Sequence, residues 1–115
     1  MSYEVTLPWP PTVNTYWRSV NGRNILSKKA RQYKKDAAIF LKSVNLKGDL
    51  KVVIECHMPD KRRRDLDNLL KPLLDVMGDC GVYEDDSQIC DLRILKSTYA
   101  DRGTVTINVM EIKNV

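Results

Sequence analysis

Leu50-Lys51-Val52-Val53-Ile54-Glu55-Cys56-His57-Met58 is the stretch that decides the fold. Leu50, Val52, Ile54, Cys56 and Met58 alternate with Lys51, Val53, Glu55 and His57, the period-two pattern of a strand with one buried face. Pro59-Asp60 is a turn signal that ends it. The chain then reads Lys61-Arg62-Arg63-Arg64-Asp65-Leu66-Asp67-Asn68, so one strand end receives four cations and then two carboxylates. The cations suit a polyanion, and the carboxylates suit a hard divalent metal such as Mg²⁺. Side by side, they point to metal-assisted chemistry on a phosphodiester.

Reading outward, Tyr3, Val5 and Leu7 alternate with Glu4 and Thr6 as a short first strand, ended by Pro8, Pro10 and Pro11. The segment from Thr12 to Asn24 reads as a loop carrying Asn14, Tyr16, Trp17, Arg18 and Arg23. Its aromatics are candidates either for stacking on nucleic acid or for packing on the core. Ser27 is a plausible N-cap for a helix reaching about Val44. Ala30, Tyr33, Ala37, Phe40, Leu41 and Val44 form its apolar face, and Lys28, Arg31, Lys35 and Lys42 lie opposite. That basic side is a solvated surface or a phosphate-facing one. Beyond the central strand, Leu66, Leu69, Leu70, Leu73, Leu74 and Met77 predict a second helix closing near Gly78 and Gly81. Strands are expected at about Ile89–Tyr99 and Thr104–Ile112, with Ala100-Asp101-Arg102-Gly103 joining them as a hairpin loop. The order β-α-β-α-β-β predicts a two-layer α+β fold, a mixed or antiparallel sheet with helices on one face.

The 115 residues favour one domain over the whole chain, and no internal repeat or linker divides it. Hydrophobic content of 43% with 30% charged residues describes a folded chain, and no apolar run predicts a membrane span or a leader. Cys56, Cys80 and Cys90 form no CxxC pair, which fits reduced thiols in the cytoplasm. The net charge of +4 is unevenly spread: residues 1–60 carry +5, while eight of the ten acids after residue 60 lie between Asp65 and Asp91. A plain nucleic-acid-binding module gains nothing from such an acidic cluster, because carboxylates repel phosphate. A metal between the two removes the conflict.

Asp65 and Asp67 cannot share a helix face at i, i+2. They converge if Asp65 is extended and Asp67 caps a helix starting near Asn68. Lys71 and Asp75 then continue a polar stripe from Asp67, in which Lys71 is either a salt-bridge partner or a participant in chemistry. Pro72 implies a late helix start or a distorted first turn. A third carboxylate is expected from Glu84-Asp85-Asp86, where the chain returns from helix to sheet. Two or three carboxylates plus water match Mg²⁺ or Mn²⁺, and no residue set resembles a zinc site. His57, the one histidine, falls on the strand's polar face, as a surface residue or a phosphate contact.

The segment HMPDKRRRDLDNLLK (57–71), with the later YEDDSQICD (83–91) and the early LPWPP (7–11), resembles the RusA family of Holliday junction resolvases across nearly the whole chain. The resemblance implies a small, Mg²⁺-dependent homodimeric endonuclease, with Mn²⁺ able to substitute. It also implies a bacterial, phage or prophage origin and symmetric nicking of two strands of a four-way DNA junction. Asp65, Asp67 and Asp86 would be its metal-binding carboxylates, Lys71 an accessory catalytic lysine, and Asp85 a neighbour of lesser weight. Lys61, Arg62, Arg63 and Arg64, with Asn14, Arg31 and Lys35, are the expected DNA contacts. Val13 stands where an Asn is expected, and Pro72 where Ala would be more ordinary. The competing readings are a non-catalytic nucleic-acid-binding protein, a nucleotide-sugar transferase using Asp65-Leu66-Asp67 as a diphosphate clamp, and a general flap or fork nuclease.

Overall fold

The computed structural model describes residues 1–112, except for the side chains of Val13 and Asn14. A four-stranded sheet forms from β1 (Ser2–Pro8), β4 (Leu50–Met58), β5 (Ile89–Tyr99) and β6 (Thr104–Glu111), in the spatial order β1-β6-β4-β5. Helices α2 (Lys28–Ala38) and α3 (Asp67–Asp79) supply the second layer. A single helical turn, α1 (Val13–Tyr16), and a separate two-stranded ribbon of β2 (Trp17–Val20) and β3 (Arg23–Leu26) precede α2. The α+β class and the mixed sheet are as the sequence predicts.

The deciding strand is central. Leu50, Val52, Ile54 and Cys56 are fully buried, as are Val105, Ile107 and Val109 on β6. The helices cover this face with Ala30, Tyr33 and Ala37 from α2 and with Leu69, Pro72, Leu73, Val76 and Met77 from α3. Each aliphatic side chain so buried contributes roughly 1.5–3 kcal/mol relative to exposure. The other sheet face is half-covered and polar. There His57 shares hydrogen bonds with Thr98 on β5 and Thr106 on β6, both 3.1 Å, so this residue ties three strands together.

Three expectations are corrected. β5 and β6 do not form a hairpin: β5 runs parallel to β4, while β6 lies between β1 and β4, antiparallel to both. The Ala100–Gly103 connection crosses the end of β4, where the Ala100 N–H donates to the Met58 carbonyl at 3.1 Å. Gly103 takes φ +74 there, and a Cβ on it would come within 2.8 Å of Trp9. β4-α3-β5 is therefore a parallel crossover, whose long connection is supplied by α3. Secondly, α2 ends at Ala38 rather than near Val44. The chain after it leaves the helix as the Tyr3 hydroxyl donates to the Phe40 carbonyl and accepts from the Lys42 N–H. Leu41 and Val44 still pack against the core, which explains the extended apolar spacing.

Thirdly, the expected early loop contains the β2–β3 ribbon. Its turn, Asn21-Gly22, has φ of 52° and 76°. Two positive φ values in succession are what a tight turn between twisted strands requires, and Asn-Gly meets that demand at little cost. Tyr16, at the base of the ribbon, is buried, whereas Trp17 is 42% exposed. Tyr16 thus takes the packing role open in the sequence, while Trp17 stays partly open to solvent.

Candidate active site

β4 delivers Pro59 and Asp60 to the rim of the sheet, and Asp60 organises the basic run beyond it. Its carboxylate accepts from the Arg62 N–H at 2.9 Å and from the Arg64 guanidinium at 2.8 Å. The Arg62 backbone bond, then Arg64, holds the Asp60 carboxyl below its usual range. Arg64 also lies over the Trp9 ring, 5.7 Å from its centroid, and is only 24% exposed. One face of the basic run is thereby committed to the fold. Lys61, Arg62 and Arg63 stay exposed. The buried Arg64 Nε has no protein partner, and a cleft of about 260 Å³ beside it is lined by Thr12, Arg63, Arg64, Asp65, Asn68 and Leu69.

Asp65 precedes α3 and Asp67 is its first residue, both exposed. Asp67 is not the cap. Leu66 holds that position in an already helical conformation (φ −63°, ψ −35°), without a side-chain cap. The first turn is closed instead by i→i−3 bonds, from Asn68 N–H to the Asp65 carbonyl at 3.3 Å and from Leu69 N–H to the Leu66 carbonyl at 3.1 Å. This tight turn suits Pro72, which cannot donate to the Asn68 carbonyl. A carboxylate in the first turn also interacts favourably with the helix dipole.

One turn on, the Lys71 ammonium donates to Asp75 Oδ1 at 3.1 Å, and the Tyr16 hydroxyl donates to Asp75 Oδ2 at the same distance. Burial, then the adjacent Asp75 charge, pushes the Tyr16 hydroxyl well above its ordinary range, so it remains a donor. Asp86 opens a short 3₁₀ turn, Asp86–Gln88, after Asp85, which caps it. The Asp85 carboxylate accepts from the Ser87 N–H, and hydrogen bonding by the Ser87 side chain, then by that N–H, holds its carboxyl below the ordinary range. The Gln88 side chain accepts from the N–H groups of Glu84 and Asp85 at 2.9 and 3.0 Å. Its amide donates to the Leu46 and Gly48 carbonyls at 3.2 and 3.0 Å, pinning the acidic loop to the segment that leads into β4.

A second cleft, of about 320 Å³, is lined by Lys71, Asp75, Asp79, Tyr83, Asp85 and Asp86 among others. Tyr83, which also lines it, donates to the Leu74 carbonyl at 2.6 Å. Burial, then the charges of Asp86 and Asp75, pushes the Tyr83 hydroxyl upward. Lys71 and Asp86 are thus brought together, Asp65 lines the neighbouring cleft, and Asp67 lies between them in sequence on α3. Among the described residues, no three His, Cys, Asp or Glu side chains converge as a ready metal cage. The donor chemistry still fits a hard dication. Mg²⁺ is commonly held by one or two carboxylates, completing its shell with water and substrate phosphates.

Arg31 and Lys35 project from α2 as exposed cations, and Lys34 pairs with Asp79, linking that helix to the second cleft. Asn14, an expected DNA contact, has its side chain outside the described residues. Sequence reasoning missed Gln88, and it placed Tyr16 without seeing its reach to Asp75. The Asp85-x-x-Gln88 spacing of a capping box was the available signal for Gln88. Nothing local announces a contact between residues 16 and 75.

The mixed α+β fold sets exposed cations at 61–63 next in sequence to Asp65 and Asp67, and lines one cleft with Lys71 and Asp86, residue types suited to chemistry on a phosphodiester. Similarity to known proteins specifies the family. The match to Endodeoxyribonuclease RusA covers residues 8–110. The chain is 38% identical over 117 aligned positions to the crossover junction endodeoxyribonuclease RusA of Escherichia coli (strain K12), covering 98% of each. It is 38% identical to the protein of that name in Enterobacteria phage 82 and 37% identical to that in Enterobacteria phage HK97, again over 98% of each. The chain belongs to the RusA family of endodeoxyribonucleases, and it is an enzyme. The non-catalytic and sugar-transferase readings are set aside.

Proposed function

We propose that this enzyme resolves four-way (Holliday) DNA junctions in recombination and repair, cutting two strands symmetrically as a homodimer, with Mg²⁺ as cofactor. The carrying observation is that Asp65 and Asp67 sit at the strand-to-helix turn, in sequence between the exposed cations at 61–63 and Lys71, which lines one cleft together with Asp86. The relatives' activity as crossover junction endodeoxyribonucleases supports the substrate. Their bacterial and phage sources support action in the bacterial cytoplasm, and no helix among the described residues is long and apolar enough to cross a membrane.

Asp65, Asp67 and Asp86 would hold the metal, which when bound supplies Lewis-acid polarisation of the scissile phosphate and a more acidic water. Arg62, Arg63 and Lys61 engage flanking phosphates, a positioning role without sequence readout. The Lys71 ammonium, half-exposed over the second cleft, offsets charge that develops on the phosphate. Arg31 and Lys35 extend the positive surface for the junction arms. Two symmetric cuts require two sites related by a two-fold axis, hence a C2 dimer. The edge strand β5, which exposes Leu92 and Tyr99, offers apolar surface for that pairing.

The test compares nicking of four-way junctions, Y-forks and linear duplex in Mg²⁺, using the wild type and Asp65→Asn, Asp67→Asn and Asp86→Asn. Each substitution should abolish cleavage while keeping or tightening junction binding, because a repulsive charge is lost. Full cleavage by Asp67→Asn sinks the metal assignment. Equal rates on forks and four-way junctions make the enzyme a general structure-selective nuclease.

A further inference from the structure

Lys71 has four rotatable side-chain bonds and is half-exposed, so an ammonium meant to meet one phosphate must be held in place. The structure offers one device for this. Asp75 receives Lys71 on one carboxylate oxygen and the Tyr16 hydroxyl on the other, both at 3.1 Å. Tyr16 is anchored independently: its ring is 1% exposed, and it meets Trp17 edge-on with ring centroids 5.2 Å apart. Asp75 is therefore oriented from a separate part of the fold, 59 residues away in sequence, rather than by its own helix alone.

We propose that Asp75, oriented by Tyr16, is a positioning residue that holds the Lys71 ammonium at the reacting phosphate. The assignment rests on the reading of Lys71 as a charge that faces the scissile phosphate. Stabilising the helix is a poor alternative explanation. An i, i+4 pair this exposed contributes little to stability, and Lys before acid is the less favourable order along a helix. Asp75 also lines the cleft that contains Asp86, so the ammonium it holds shares that cleft with one of the expected metal carboxylates. In that position it is a fixed charge where charge develops, and it needs no reorganisation at the moment of reaction.

Asp75→Asn is the informative change. The amide can still accept from Tyr16, so the packing survives, but its NH₂ cannot receive Lys71. Single-turnover nicking of a four-way junction at saturating enzyme should fall by roughly tenfold to a hundredfold, the scale of an ångström-sized misplacement. Junction affinity should be retained or tightened, and the melting temperature should be unchanged. Tyr16→Phe should slow nicking in the same way but less, and Asp75→Glu, which restores a carboxylate, should recover part of the rate. Wild-type rates in Asp75→Asn overturn the proposal. So does a loss that tracks a fall in affinity and melting temperature, which would mark plain support of the fold. Lys71→Ala, measured alongside, separates the two readings. If it nicks at full rate, the assignment of Lys71 is itself wrong; if it is slow while Asp75→Asn is fast, only the role of Asp75 fails.

Discussion

Replacing Gln88 with Ala should loosen the acidic loop without touching the expected substrate surface. The side chain makes four hydrogen bonds, all to backbone groups: the Glu84 and Asp85 N–H groups, and the Leu46 and Gly48 carbonyls. A net 0.5–1.5 kcal/mol per bond is typical, and most of the freed groups here are near solvent and can rehydrate, so about 0.5 kcal/mol each is the better figure, roughly 2 kcal/mol in total. For a chain of this size, that corresponds to a fall in melting temperature of roughly 6–10 °C. Circular dichroism melts at fixed protein concentration measure it. Amide exchange should report the local opening first, with Glu84 and Asp85 losing protection before the β4 amides. Junction nicking should fall with it, since Asp86 would no longer be held, while junction affinity stays close to wild type. Gln88→Glu keeps the oxygen that accepts from both N–H groups but turns oxygen lone pairs toward the Leu46 and Gly48 carbonyls. It should therefore melt no higher than Gln88→Ala. An unchanged melting temperature with unchanged protection at residues 84 and 85 would refute the claim that Gln88 fixes this loop.

Arg63→Ala should weaken junction binding and reduce the slope of log K against log salt by roughly one, as expected for one lost phosphate contact. An unchanged slope would place that side chain away from DNA. Arg64→Ala should instead lower the melting temperature, because it removes the Asp60 ion pair and the contact with Trp9; equal melts for Arg63→Ala and Arg64→Ala would contradict this division of labour. Gly103→Ala should destabilise by roughly 2 kcal/mol, combining a strained positive φ with a collision at Trp9, and a wild-type melt would count against the close approach. Stability should also decline in alkali. Burial pushes the Cys56 thiol from 9.0 up to about 11, so the unfolded chain releases that proton first. The stabilisation is complete below the unfolded value and is lost as pH rises toward the folded one. Tyr33, raised by burial, acts in the same direction, as do Tyr16 and Tyr83. A melting temperature that stays flat to about pH 11 would overturn this linkage.

The parts of this molecule that were legible in its sequence are those set by side-chain periodicity. β4 alternates because one of its faces is buried along its whole length, and α3 shows its leucines at helical spacing because one side meets the sheet. β5 was also found, at Ile89–Tyr99, although its residues are largely exposed. Its pairing was not found. A four-residue loop suggests that neighbouring strands pair, but burying β4 on both sides outweighs the convenience of a short hairpin, and β6 therefore enters the centre of the sheet. The same distinction holds at the site. Asp65, Asp67 and the acidic triplet declare themselves by type and order, whereas Tyr16 meets Asp75 only after α1 packs on α3, a contact with no local signature. Arg64 shows the limit from the other side. Within a run of four cations, sequence cannot tell which one points inward, and here Asp60, four residues earlier, and Trp9, from the start of the chain, take it for the fold. The cations left exposed are then three, at 61–63, beside a carboxylate pair whose own helix begins with a tightened turn. In the proposed function, affinity for DNA and attack on it fall to adjacent but separable residues, which is why Arg63→Ala and Asp67→Asn should fail in different assays.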